Sequence, residues 1–360
     1  MPLPPAAPRD APAAPVSTPT TGSGPALSAR DRVVDFLFAT SRARDTSLET
    51  VAFSGQRSRA LTYGQASIRI PEDHKIGEIT LPSSWKVFGI TLSEEKLDEH
   101  EHFTIRALKT FTLDDWNEAI RLRNPKSALI FVHGYNTSFE DALYRNAQIV
   151  WDLRYEGLSV LYSWASWGGA TDYLYDRESA QIGRAGFIEV LRNLKEKHGI
   201  ETVNVIAHSM GNQVVLDALG SYAQTSNPAT IGELILAAPD VDRDMFVSLI
   251  PNVQKIVKGV TLYASSADKA LQASRRLAGV LRAGDIGDDG PIVLDNMQTI
   301  DVTAMGEEIL GLNHNVFAVS RNLIDDIRLL ITSGLRPPDQ RLSQIRRCPE
   351  TAPRYWCFVH

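Results

Sequence analysis

Cysteine is nearly absent from this chain. Two residues in 360, Cys348 and Cys357, both fall in an Arg- and Pro-rich C-terminal stretch. That excludes a disulfide framework as the basis of the fold, and no pattern around either thiol marks it as a nucleophile. The pair either closes a small loop in an oxidising compartment or stays reduced in a cytoplasm. No apolar run approaches the roughly 18 residues needed to cross a bilayer, which excludes a membrane span. An excess of basic residues is missing too. Lys and Arg number 37 against 43 Asp and Glu, and the net charge of −6 removes any electrostatic reason to bind nucleic acid. What remains is 43% hydrophobic and 22% charged, an ordinary globular composition long enough for one large α/β core.

Eight of the 19 prolines lie in the first 25 residues, with mostly Ala, Ser and Thr between them. Such a segment cannot bury enough apolar surface to offset its ordering entropy, so residues 1–30 are expected to be a disordered tether. It has no continuous apolar stretch of signal-peptide type, so a cytoplasmic location is the default. A periplasmic or exported location is the alternative, if an upstream signal has been removed. Residues 31–335 read as one domain, and 336–360 as an Arg/Pro-rich tail ending at His360.

Short strands are expected at Arg32–Ala39, Gly64–Pro71 and Phe103–Thr112. From Ser127 the pattern sharpens. The apolar run Ala128–Val132 ends in His133-Gly134-Tyr135-Asn136, and Thr137-x-x-Glu140 then reads as a capping box for a helix with apolar residues at Phe139, Leu143, Ala147, Val150 and Leu153. The alternation continues with strand Leu158–Trp164, helix Glu178–Glu196, strand Glu201–Ala207, helix Gly211–Tyr222 and strand Glu233–Ala238. Strand Gly259–Ser265, helix Lys269–Leu277, strand Met297–Thr303 and helix Val316–Ile331 complete it. Strands alternating with helices of this length imply a mostly parallel sheet covered on both faces.

Ala207-His208-Ser209-Met210-Gly211 lies between a strand and a helix, the setting of a nucleophile elbow, with Ala in place of the usual first Gly. Small residues are needed on both sides of the serine because strand and helix backbones nearly touch there. A serine hydroxyl needs a base, and on a strand–elbow–helix frame the chain order is Ser, acid, His. Of the eight histidines only His314 and His360 follow Ser209, and His314 alone lies between the last strand and the last helix. It is therefore the expected base. The acid belongs at the carboxyl end of a later strand, which leaves Asp240 and Asp268; Asp268, two strands after the elbow, is preferred. Asp240, Asp242 and Asp244 resemble the start of a calcium loop, but Met245 and Pro251 occupy positions that require Gly and Glu, so the run reads as a structural turn. Two backbone N–H groups must face the developing oxyanion, and Met210 and Tyr135 supply them, Gly134 permitting the close approach. Aromatic and glycine-rich residues 167–175 follow the next strand. Gly134, Asn136, Trp164, Trp167 and Tyr173 are the expected substrate contacts, with Gly168-Gly169 as a hinge. No metal and no cofactor is called for.

The blocks FVHGYNTSFEDALYRNAQI, YSWAS, YLYDRESA, VIAHSMGNQVVLDAL, LAAPDVD, LYASSADKAL and IDVTAM closely resemble a bacterial α/β-hydrolase family of long-unassigned function, grouped with esterases and lipases. With Leu61-Thr62-Tyr63-Gly64 and Ile70-Pro71 the resemblance spans about residues 33–333. It implies an α/β-hydrolase fold and the triad Ser209, Asp268 and His314. Two departures bear on the pocket rim: Ala165 where Pro is usual, and Asn315-Val316-Phe317 where Ser-Tyr-Phe often follows the histidine. The expected activity is hydrolysis of a small-molecule carboxylic ester through an acyl-enzyme. Another acyl transfer on the same triad (amidase, lactonase or acyltransferase) is the alternative, and a binding or scaffold protein of the same fold is the third.

Overall fold

The computed structural model describes residues 32–47, 50–82, 84–87, 90–94, 96–167, 172–306 and 317–359. The Pro-rich segment, the Gly168-Gly169 hinge, His314 and His360 lie outside the described residues. In chain order the strands are β1 (Val33–Arg44), β2 (Phe53–Arg69), β3 (Ser84–Val87), β4 (Ile90–Glu94), β5 (Thr104–Phe111), β6 (Ser127–Val132), β7 (Leu158–Ser163), β8 (Thr202–His208), β9 (Ile231–Ala237), β10 (Val257–Ala264), β11 (Met297–Asp301), β12 (Ile345–Cys348) and β13 (Tyr355–Phe358). The helices are α1 (Leu113–Arg123), α2 (Phe139–Asp152), α3 (Tyr173–Arg192), α4 (Gly211–Tyr222), α5 (Arg243–Val253), α6 (Lys269–Ala278) and α7 (Phe317–Ser333). Among the described residues no helix is long and apolar enough to cross a membrane.

Among the described residues eleven strands form one sheet in the order β12-β13-β11-β10-β9-β8-β6-β7-β1-β2-β5, and β3 pairs with β4 in a separate two-stranded sheet. The strands from β13 to β1 run parallel, while β2, β5 and β12 join antiparallel at the two margins. Alternate side chains of the central strands feed two cores. Ile130, Val132, Val205, Leu236 and Leu262 pack on one face with α3, α4 and α5 residues such as Phe187, Leu219 and Phe246. Leu129, Phe131, Ile206, Ile235 and Tyr263 pack on the other with Leu143, Ile149, Ile327 and Leu330 of α2 and α7. Burial on both faces explains the nearly unbroken apolar runs of β6 to β10. Every crossover returns through a helix, so the carboxyl ends of β6 to β11 share one edge, where loops converge.

The structure corrects several boundaries. The α2 cap is Ser138, one residue later than expected: its Oγ accepts from the Asp141 N–H at 3.0 Å, and Asp141 Oδ2 accepts from the Ser138 N–H at 3.3 Å. Thr137 instead gives its N–H to Ser166 Oγ. Helix α3 begins at Tyr173 rather than near Glu178, so Tyr173 and Asp176 belong to its first turn. The 240–244 acidic run leads into a helix rather than forming a separate turn: Asp242 caps α5, accepting from Asp244 and Met245 N–H groups, and Asp244 lies in the first turn of that helix. The tail is not a loose appendage. Strand β13 adds parallel to β11, Ile345 and Phe358 enter the core, and Arg341 is buried in an ion pair with Asp326. Cys348 and Cys357 are disulfide-bonded, their Cα atoms 6.0 Å apart.

Candidate active site

Ser209 sits between β8 and α4 with φ of 49°, the left-handed region, where a non-glycine residue is strained by about 1–3 kcal/mol. The backbone on either side holds it there. Its N–H donates to Ala237 O at 2.9 Å, and its carbonyl accepts from the Asp240 N–H at 3.2 Å and the Asn212 N–H at 3.1 Å. Asn212, fully buried and not singled out by the sequence reading, adds its side-chain Nδ2, which donates to Ser209 O at 2.8 Å and Ala207 O at 3.2 Å. The glycines are sterically required. A Cβ on Gly211 would lie 2.4 Å from His133 O, and one on Gly134 would lie 2.9 Å from Ser209 Cβ. Ala at 207, the departure from the usual motif, is simply buried in the core.

Gly134 therefore places the 133–137 turn against the serine. Most of its carbonyls and its last two N–H groups are occupied. His133 O accepts from Trp164 Nε1 at 2.8 Å, Gly134 O from His133 Nδ1 at 2.7 Å, and Tyr135 O from Thr137 Oγ1 at 3.1 Å. The Asn136 N–H donates to Asp176 Oδ2 at 3.2 Å, and the Thr137 N–H to Ser166 Oγ at 3.2 Å. The N–H groups of Tyr135 and Met210 make no hydrogen bond among the described residues. These are the two donors the sequence assigns to an oxyanion.

The two candidate acids differ in environment. Asp240 Oδ1 accepts from Arg282 Nε at 2.6 Å, Ser274 Oγ at 2.5 Å and Tyr173 OH at 3.3 Å, in a salt bridge whose side chains are only 2% and 4% exposed. Asp268 is buried beyond the end of β10, caps α6 by accepting the Leu271 N–H at 2.9 Å, and makes a further interaction besides.

The expected substrate contacts separate. Trp164 is corrected to a core residue: it is fully buried, stacked on His133 at 5.2 Å and 15°, and its indole N–H is taken by His133 O. Tyr173 is also buried and bonded to Asp240 and Ser274, and its ring meets Tyr135 edge-on at 5.7 Å. Burial, reinforced by Asp240, raises the phenol pKa of both Tyr135 and Tyr173, so both stay protonated. Asn136 has φ of 52° at the turn. Trp167 is 48% exposed, with its N–H on Asp176 Oδ1 at 2.7 Å.

Beneath the turn lie residues the sequence did not mark. Arg42 of β1, 1% exposed, donates from Nε to Ser163 Oγ at 2.9 Å, from Nη1 to Ser166 O at 2.7 Å and from Nη2 to Thr137 O at 2.5 Å. Burial lowers its pKa to about 10, with Asp176 opposing. Asp176 binds Ser166 Oγ, Trp167 N–H and Asn136 N–H, so the turn lies between a buried cation and a buried carboxylate.

Residues 109–333 match a family model described as an alpha/beta hydrolase of unknown function (DUF900). No curated protein matches. Among solved structures, a candidate cell surface hydrolase from Lactobacillus plantarum WCFS1 is similar at 12% identity and TM-score 0.39, over 61% of this chain and 97% of that one. A candidate hydrolase from Agrobacterium vitis S4 shares 14% identity at TM-score 0.34, over 79% and 98%. A lipase-esterase related protein from Clostridium acetobutylicum ATCC 824 shares 11% at TM-score 0.31, over 57% and 95%. Likeness this distant transfers no residue roles.

Proposed function

The chain belongs to the alpha/beta hydrolase family of unknown function whose model covers residues 109–333, and from that premise we propose that it is a serine carboxylic-ester hydrolase. The observation that carries this is the strained Ser209 facing Gly134, with the Tyr135 and Met210 N–H groups left without a partner among the described residues. A serine used only as a helix cap does not need that strain.

In the proposed reaction Ser209 Oγ attacks the ester carbonyl carbon while His314 accepts the hydroxyl proton. The carbonyl oxygen becomes the oxyanion and accepts from the N–H groups of Tyr135 and Met210. Collapse of the adduct expels the alcohol, which takes the proton from His314 and leaves an acyl-Ser209. Water then attacks by the same sequence, releasing the carboxylic acid and restoring the serine. Asp268 orients the imidazole and stabilises its cation. Asp240 is the less suitable acid because Arg282 already holds its carboxylate. The Cys348–Cys357 bond favours an exported or periplasmic location over the cytoplasmic default.

The test is hydrolysis of p-nitrophenyl esters of rising acyl length beside Ser209→Ala, with fluorophosphonate labelling. Turnover should fall by about a million-fold in the variant, and the probe should label Ser209 of the wild type. More than a few per cent residual activity, or labelling elsewhere, refutes the nucleophile. Cleavage of amides or lactones in preference to esters would redirect the substrate class.

A further inference from the structure

We propose that Arg42 and Ser163 are positioning residues that drive a one-directional hydrogen-bond relay into the Tyr135 N–H of the oxyanion site. This inference rests on the serine-hydrolase reading above.

Four links compose the relay. Arg42 Nε donates to Ser163 Oγ at 2.9 Å. Ser163 Oγ lies 3.0 Å from His133 Nε2, and His133 Nδ1 lies 2.7 Å from Gly134 O. A carbonyl only accepts, so Nδ1 carries the ring proton. Burial and the neighbouring Arg42 push the His133 pKa well below its ordinary value, keeping the ring neutral and Nε2 an acceptor. The Ser163 hydroxyl therefore donates to it. The final link is covalent: Gly134 C=O and Tyr135 N–H belong to one peptide unit. A donor on that carbonyl fixes the plane of the peptide and draws electron density away from its N–H. Hydrogen bonds aligned head to tail polarise one another, and a buried cation at the head adds to the effect.

The surroundings are built to hold this direction. Trp164 stacks on the imidazole and binds His133 O, fixing the ring plane. Thr40 Oγ1 donates to Ser163 O at 2.7 Å and accepts from the Arg42 N–H at 3.1 Å, joining strand β1 to the end of β7. Arg42 bonds two carbonyls and a hydroxyl rather than a carboxylate, and its Nη2 also lies 3.5 Å from His133 Nε2, a second and longer donor to the same ring nitrogen, with Asp176 acting from the far side of the turn. Burying a guanidinium without a directly bonded carboxylate is costly. Here its field points along the relay toward the place where negative charge develops.

Ser163→Ala removes one oxygen and should fold. With para-nitrophenyl ester, kcat and kcat/KM should fall together by about 10- to 100-fold with KM unchanged, since the relay acts on the oxyanion rather than on the bound ester. Affinity for a trifluoromethyl ketone, whose serine adduct carries the same oxyanion, should fall by a similar factor. Ser163→Thr should restore both, and Arg42→Lys should show the same pattern as Ser163→Ala. Wild-type kcat and ketone affinity in both Ser163→Ala and Arg42→Lys would overturn the relay. So would a fall in kcat with ketone affinity untouched, because that marks a structural role only. Fluorophosphonate labelling separates the two levels: a wild type unlabelled at Ser209 overturns the hydrolase reading and the relay together, whereas a labelled wild type with fully active variants overturns the relay alone.

Discussion

Asn in place of each candidate acid should give opposite signatures. In Asp240→Asn the shape is kept and Oδ1 still accepts, but the charge facing Arg282 is lost in a pair whose side chains are 2% and 4% exposed. Removing one partner of a buried ion pair costs about 3–5 kcal/mol. The donors from Ser274, Tyr173 and Arg282 still find an acceptor, which trims the loss to about 2–4 kcal/mol. For the folded unit Val33–His360, unfolding entropy scales to about 1.4 °C of melting temperature per kcal/mol, so the melt should fall by about 3–6 °C. The rate should stay within about tenfold. Asp268 is the N-cap of α6, and Asn caps a helix as well as Asp does, so the cap survives Asp268→Asn and, with only the charge of its further interaction lost, the melt should fall by less than in Asp240→Asn. As the proposed acid it should lose about ten-thousand-fold in kcat, because the imidazole loses its orienting carboxylate. Steady-state kinetics at saturating ester and a thermal melt on each variant decide. Loss of rate with an unchanged melt in Asp240→Asn, alongside near-wild-type rate in Asp268→Asn, would refute the assignment.

Intact mass of the isolated protein should show no alkylatable thiol until reductant is added, and reduction should lower the melt by about 3–4 °C, from the roughly 2–3 kcal/mol of chain entropy in a loop this short. Two free thiols at isolation refute the bond. Arg341→Met should lower stability by about 3–5 kcal/mol by leaving Asp326 buried without its bidentate partner; an unchanged melt would make the tail dispensable. His133 has its folded pKa depressed, so below pH 6.5 the unfolded chain binds a proton that the folded state refuses. Its contribution is present above that pH and is lost as pH falls, by about 1.4 kcal/mol per pH unit. Urea melts between pH 7 and 5 should therefore show a shallower pH slope in His133→Asn, and equal slopes refute it.

The central frame was legible because β6 to β11 are buried on both faces and read as short apolar runs between helices of regular period. Helix α4 falls on the residues its pattern marks, Gly211–Tyr222. The α2 cap was displaced by one residue because Thr137/Glu140 and Ser138/Asp141 satisfy the same spacing, and only the Ser166 contact to Thr137 separates them. Helix α5 was hidden behind its own capping turn and by Pro251 in its interior. The tail was misjudged on composition. Its Arg341 is neutralised by Asp326 and its β13 pairs with β11 although α7 and β12 lie between them in the chain, neither of which leaves a local pattern.

The same distinction runs through the active site. The elbow is local, five residues with a steric rule, so the sequence displays it. What keeps it strained is not local. Asn tolerates the left-handed region at 136, but Ser209 at φ 49° and Ala238 at φ 44° do not have that latitude. Their two turns restrain each other: the Ser209 N–H is bonded to Ala237 O, the Asp240 N–H to Ser209 O, and the Ala238 N–H to Tyr263 O of the next strand. Neither turn can relax without breaking the other's hydrogen bonds, so the cost of strain is borne by three neighbouring strands rather than by one loop. Arg42 and Asp176 act in the same way on the third turn, reaching it from 95 and 40 residues away in sequence. A nucleophile can thus be read from its pentapeptide, whereas the groups that hold it and aim the oxyanion donors come from strands and helices that meet only in the folded chain.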